Sequence, residues 1–262
     1  MTDLAPDMRE VPAAPAPLPP PPLPASRLTP ARALLEVLLC SSYPTQLVVA
    51  GALAAAGVPG VKADGSLNAP FVIAVSLGDA TLVVALITWF IRRNGESMAR
   101  VFVAGRPAWR EVGLGVALTP LVLLGISLLV AAIRAAAPVL HNVPTNPMGA
   151  LMRDPLLAVT FAVVVVLAGG VREELQRGFQ LHRLTGHVCG PGLALVLTSV
   201  AFAAGHTVQG YDVAVATGAL GAFWGLLYLG RRSVVAAAVS HGLFNLAQVA
   251  IAWAIGDSLP TP

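Results

Sequence analysis

Three short polar patterns interrupt the apolar half of this chain. Glu173-Glu174-Leu175-Gln176-Arg177 ends one hydrophobic run, Phe202-x-x-x-His206 closes the next, and His241-x-x-x-Asn245 lies inside the last. Each falls where a membrane helix is expected, and ionisable side chains there cost enough to be functional candidates by default. Glu173 and Arg177 are i,i+4 and Glu174 and Arg177 are i,i+3, so either carboxylate can pair with the guanidinium. Phe202 is i,i+4 from His206 and can pack beside it, and His241 and Asn245 share a helix face. A glutamate in a dry cavity is pushed towards its neutral form by desolvation and towards its anion by a nearby cation. Between those limits it can take a proton from water. An imidazole can hold the same water, and a His–Asn pair can donate to a developing oxyanion. Alternatively, Glu173, His206 and His241 could ligate a divalent metal such as zinc with an open water position, leaving Glu174 as the base. Taken singly, each pattern also has a structural reading: a buried ion pair, a satisfied histidine, or polar glue between helices. Their joint occurrence on three helices points to a water-activating site.

Long helices must carry these groups. Hydrophobic residues make up 56% of the chain, charged residues 11%, and the mean hydropathy is +0.77. A soluble domain carries about a quarter charged residues. Seven apolar segments are expected, at about 33–57, 70–91, 112–137, 155–183, 191–208, 212–229 and 234–255. Roughly 20 helical residues cross a hydrocarbon core of about 30 Å. The fold class is therefore all-α, a polytopic membrane helical bundle of about seven transmembrane helices, with eight as the alternative count. Breakers lie between segments, at Pro59-Gly60, 68–70, 144–147, 186–191 and 230–233. Residues 1–30, with Pro19 to Pro22, read as a proline-rich disordered tail, and 31–262 as one membrane domain.

The arginines suggest an orientation. Arg92, Arg93, Arg100, Arg106 and Arg110 fill one loop, Arg183 lies in a second, and Arg231 and Arg232 in a third. With seven spans these loops share one side with Arg9, Arg27 and Arg32, against Lys62, Arg134 and Arg153 opposite. The positive-inside rule then predicts a cytoplasmic N-terminus and an external C-terminus. The net charge of +3 is this bias and needs no nucleic-acid partner. Trp89, Trp109 and Trp253 fit interfacial belts, and Gly221-x-x-x-Gly225 reads as helix packing. Cys40 and Cys189 read as small buried hydrophobes. His141, His182 and His187 are assigned no role.

The fourth and fifth segments form a hairpin around Gly186 to Gly190. Glu173 lies 13 residues before Gly186 and His206 lies 16 after Gly190. At 1.5 Å per residue both sit on the order of 20–24 Å from the turn, which makes them nearly level. His241, nine residues after Arg232, rises roughly 14 Å above its own loop. The three groups can converge in the cytoplasmic half of the bundle.

The ordered set E-E…R, F-x-x-x-H and H-x-x-x-N resembles the CAAX-prenyl-protease and bacteriocin-processing (CPBP, or Abi) intramembrane endopeptidases, over about residues 155–255. The resemblance implies a multispanning helical protease in which Glu173 activates water with His206, while His241 and Asn245 stabilise the oxyanion. For that family both a glutamate mechanism and a metal mechanism have been put forward. The first motif departs from the family pattern, which has three residues between the Glu pair and Arg; here only Leu175 and Gln176 intervene. Aligning on the carboxylates makes Glu173 the base, with Glu174 as substitute. Aligning on Arg177 puts Arg172 in the first glutamate position. No cofactor is favoured, because Asn245 is a poor zinc ligand and Arg177 disfavours a second positive centre. The expected partners are a membrane-anchored protein or peptide substrate and the lipid bilayer. Arg over Lys usage and the Ala bias suggest a bacterial cytoplasmic membrane and argue against prenylated substrates. The alternatives are a proton-coupled transporter that uses the Glu/His cluster as a relay, and a non-proteolytic membrane scaffold.

Overall fold

The structure, a computed structural model, describes residues 28–144, 148–149 and 154–255. Of the tail expected over residues 1–30, residues 1–27 lie outside the described residues, and its end is shorter than expected, since Thr29 caps α1 and Pro30 opens it. The chain forms α1 (Pro30–Leu39), α2 (Tyr43–Ala55), α3 (Ala69–Arg93), α4 (Met98–Phe102) and α5 (Ala108–Ala136). It continues with α6 (Pro155–Val164), a π-helical segment (Val165–Arg172), α7 (Glu173–His187), α8 (Pro191–Ala204), α9 (Tyr211–Arg231) and α10 (Val235–Ile255). Among the described residues there is no strand, only an isolated bridge between Val61 and Leu67. Six stretches are long and apolar enough to cross a membrane, and α8 is a shorter apolar helix. Together they correspond to the seven expected segments of an all-α polytopic bundle.

Polarity is inverted relative to a water-soluble protein. Leu47, Val48, Leu121, Leu124, Leu128, Leu156 and Val196 are exposed, whereas Asp79, Glu111, Glu174, Arg183 and Asp212 are buried. An apolar solvent explains both halves of that pattern: lipid accepts the leucines, and buried charges survive by pairing. Arg231 clamps Glu111 between α9 and α5 (Nη2–Oε1 2.5 Å), and Arg134 donates to Asp212 (2.8 Å) at the other end of the same two helices. At the arginine-rich end Arg183 donates to Glu36 (2.6 Å) and Glu96 (2.5 Å), tying α1 and the α3–α4 loop to α7. Burial works to raise the Glu96 carboxyl. Hydrogen bonds from His182 and Arg183 outweigh it and hold the group below its ordinary range.

Three segments differ from expectation. The first span is not one helix over 33–57. It breaks at Cys40 to Ser42, where Ser42 adopts a left-handed φ of 69° and Pro44 opens α2 without an amide donor. The fourth, expected as a plain helix over 155–183, contains the eight-residue π segment. There Gly170 meets Gly242 of α10 so closely that an added Cβ would lie 2.8 Å from the Gly242 Cα. Close backbone approach of this kind replaces hydrophobic packing between membrane helices. The fifth, expected to reach residue 208, ends at Ala204. His206 therefore lies beyond the helix, in the reversal that leads into α9.

The cores assemble around this frame. Ile87, Ile91, Phe102, Phe179, Leu184 and Tyr228 pack α3, α4, α7 and α9 together. Trp224, Val122, Ala237 and Phe244 join α9, α5 and α10. Gly221 and Gly225 of α9 lie against Phe202 and Leu195 of α8, the packing role expected of that pair.

Candidate active site

Depth comes first, because three helices must present their groups at one level. Val234, just before α10, packs against Gly178 in the middle of α7, and its amide donates to the Phe102 carbonyl. The loop before α10 is thus recessed, while α7 runs nine residues further to His187. From that shared level Glu174 is four residues along α7 and His241 seven along α10, about 6 Å and 10 Å. Side chains on α7 lean towards its N-terminus, which brings Glu174 up to His241. The π segment delivers both glutamates into the bundle at the start of α7. Such segments recur at functional sites because their extra residue re-aims the side chains that follow.

The two carboxylates have different surroundings. Glu174 is 1% exposed; its Oε1 accepts from the Arg177 Nη1 and from His241 Nδ1 (2.8 Å). Of the two pairings with Arg177 that the spacing allows, the i,i+3 one forms. Arg177 is also buried, with its guanidinium 4.4 Å from the Phe202 ring centroid and 5.7 Å from that of Trp224, and aromatic faces attract such a cation. The His241 ring stacks on Trp224 at 3.8 Å and 15°. A carboxylate has no proton to give, so the proton of this pair sits on Nδ1 and Nε2 points the other way. Nε2 lies 3.8 Å from the Glu173 Oε2.

Glu173 lines a cavity of about 300 Å³ together with Arg172, Gln176, Arg177, Phe202 and His206. The Ser41–Gln46 stretch at the break between α1 and α2 forms part of its wall. His206 Nδ1 donates to the Phe202 carbonyl (2.8 Å). That bond takes the Nδ1 proton and leaves Nε2 as an acceptor. The Phe202 ring lies 4.7 Å from His206 and meets His241 edge-on at 6.3 Å, so it spaces the two imidazoles. Asn245 is half-buried on α10, and one of its two amide hydrogens donates to the Val165 carbonyl of the π segment (3.2 Å). The structure thus gathers Glu173, Glu174, Arg177, Phe202, His206 and His241 into one cluster, with Asn245 a turn further along the π segment. Glu174, His241 and Asn245 stand behind the cavity wall, not on it. Among the described residues no three His, Cys, Asp or Glu side chains are gathered closely enough to hold one metal ion. The nearest companions of the two glutamates are the guanidiniums of Arg172 and Arg177.

Several polar residues of the site were not anticipated. Asp79 lies in the interior of α3, ten residues after Ala69 and fourteen before Arg93, and is wholly buried. It accepts from the Thr45 hydroxyl and pairs with Arg172 Nη2 (3.3 Å). Arg172 Nη1 donates to Ser42 Oγ and Gln176 Oε1, both at 3.0 Å. Asp79 carried a signal, since it is an ionisable residue in the middle of an apolar run. Ser42 and Gln176 carried none, because their role depends on the helix break.

No curated protein and no solved structure matches the chain. Residues 155–247, the stretch that carries the glutamate pair, His206, His241 and Asn245, match the family model described as type II CAAX prenyl endopeptidase Rce1-like.

Proposed function

We propose that this protein is an intramembrane endopeptidase that hydrolyses a peptide bond in a membrane-associated protein or peptide. The observation that carries the reading is that one carboxylate, Glu173, and one acceptor imidazole nitrogen, Nε2 of His206, share a polar cavity inside an apolar bundle. Water held between them loses its proton to the Glu173 carboxylate as its oxygen attacks the scissile carbonyl carbon. The carbonyl electron pair moves onto oxygen. His241 and the second amide hydrogen of Asn245 are the assigned oxyanion donors; both stand behind the cavity wall, so the role requires substrate to part that wall, and donation from His241 Nε2 requires the ring to carry its second proton. Collapse of the intermediate breaks the C–N bond, and Glu173 returns its proton to the departing amine. Glu174, Arg177, Phe202 and Trp224 fix the His241 ring and touch no substrate atom in this scheme. The mechanism is metal-free, as the two guanidiniums beside the carboxylates favour anionic groups over a further cation. The substrate side is a membrane-anchored protein or peptide tail, and the compartment a bacterial cytoplasmic membrane.

The test compares peptides released in cells that carry the wild-type chain or E173Q, which removes the basic carboxylate at nearly constant shape. Product peptides should fall by about 100-fold or more in E173Q with the folded protein unchanged, the scale of general-base loss. Chelation of the purified protein should leave turnover intact. Undiminished products from E173Q would point to a scaffold, and gradient-driven flux without products to a transporter. Stoichiometric zinc with activity lost on its removal and restored on re-addition would make Glu173, His206 and His241 ligands and Glu174 the base.

A further inference from the structure

We propose that Asp79 is a positioning residue for the hydrolytic base: it holds the Arg172 guanidinium away from Glu173 and so leaves that carboxylate open to water. The inference rests on the reading of Glu173 as the base.

The geometry is a charge triad in which one cation sits between two anions. Arg172 Nη2 lies 3.3 Å from Asp79 Oδ2 and 3.6 Å from Glu173 Oε1, the second beyond hydrogen-bond reach. Its Nη1 is already committed to Ser42 and Gln176. Asp79 itself is pinned. The Thr45 hydroxyl donates to Oδ1, and Gln46 Nε2 lies 3.5 Å from Oδ2. These partners come from α2, α3, the π segment and α7, so the triad is held from four sides.

Arginine prefers a two-point pair with a carboxylate. Placed fully on Glu173, it would occupy the oxygens that must face water and reduce their pull on a proton. The attraction is strong inside an apolar bundle, where charges are poorly screened. A neighbouring arginine is therefore a hazard to this base unless a second anion shares it. Asp79 is that anion. It has no opening to the cavity, where Glu173 and Arg172 do line the wall. It acts through Arg172 alone.

The test is a sign of epistasis measured on the full chain in lipid vesicles, with a cleavable peptide. D79N should lower kcat by about 10-fold or more with KM within about 2-fold, and D79E should stay within about 3-fold of wild type. Adding R172Q to D79N removes the group that captures Glu173, so D79N/R172Q should turn over at least about 3-fold faster than D79N alone. A merely structural pair gives the opposite order, with the double variant no better than D79N. That result at matched folded fraction, or wild-type kcat in D79N, overturns the proposal. Should D79N not fold, T45V takes its place, because it frees Asp79 without removing its charge. A loss of about 3-fold in kcat is expected, cancelled in T45V/R172Q, and an uncancelled loss overturns the proposal. E173Q is run alongside. Full turnover in E173Q defeats the parent reading, whereas an inactive E173Q with no rescue by R172Q defeats this inference only.

Discussion

At Glu174 a single buried oxygen serves two partners, the Arg177 guanidinium and the His241 ring. Replacing it by Gln leaves Arg177 without its anion in a site that admits little water. Breaking one partner of a buried pair costs about 3–5 kcal/mol. E174Q should therefore show a lowered thermal-unfolding temperature in detergent or vesicles, while its folded fraction loses less kcat than E173Q. A normally stable E174Q with turnover as low as E173Q would transfer the role of base to Glu174. The sequence left this choice open, because adjacent glutamates at i,i+3 and i,i+4 from one arginine are equivalent on paper. Two features separate them in space: burial of Glu174 against Trp224-stacked His241, and the opening of a cavity beside Glu173. Both depend on α9 and on the α1–α2 break, neither of which a motif contains. Asp79 was legible in principle, since one carboxylate sits inside an otherwise apolar helix.

The π segment and α10 form the element on which the site depends. Gly170 allows the two backbones to touch, and the Asn245 amide crosses the same interface to Val165. A methyl group at Gly170 would press on backbone atoms of Gly242, at 2.8 Å from Cα and 3.0 Å from N, and the backbone has no rotamer with which to yield. G170A should destabilise by about 1–3 kcal/mol, the cost of overpacking, and should weaken turnover by misplacing Glu173 and His241 together. Thermal unfolding and peptide release measured on one preparation check both effects. An unchanged melting profile would mean that the helices are not held this closely. Helix positions were readable from apolar run lengths and breakers, and α3, α9 and α10 lie within a few residues of expectation. The π segment was not readable, since its close packing on α10 joins residues far apart in sequence, and the kink at Ser42 had only Pro44 as its local signal.

For the whole molecule, the arginine bias gives a direct test of orientation. Exposed Arg92, Arg93, Arg100 and Arg110 gather with Trp109 around α4 and the start of α5, the composition expected at a cytoplasmic interface. Reporters fused after Pro24 and after Pro262 should report opposite sides, cytoplasmic and external. Reporters on the same side would mean that α8, or the broken α1–α2 stretch, does not cross. α8 has a further consequence. Its 14 residues are about 21 Å long, short of a hydrocarbon layer of about 30 Å. If α8 crosses, the mismatch is met by a locally thinned leaflet or by polar groups sunk below the surface, and here Thr207 and Gln209 follow His206 at the short end. For the peptidase activity proposed above, water is the second reactant and is as limiting in oil as the peptide. Where α8 crosses, a dimple at its short end would bring that reactant, water, to His206.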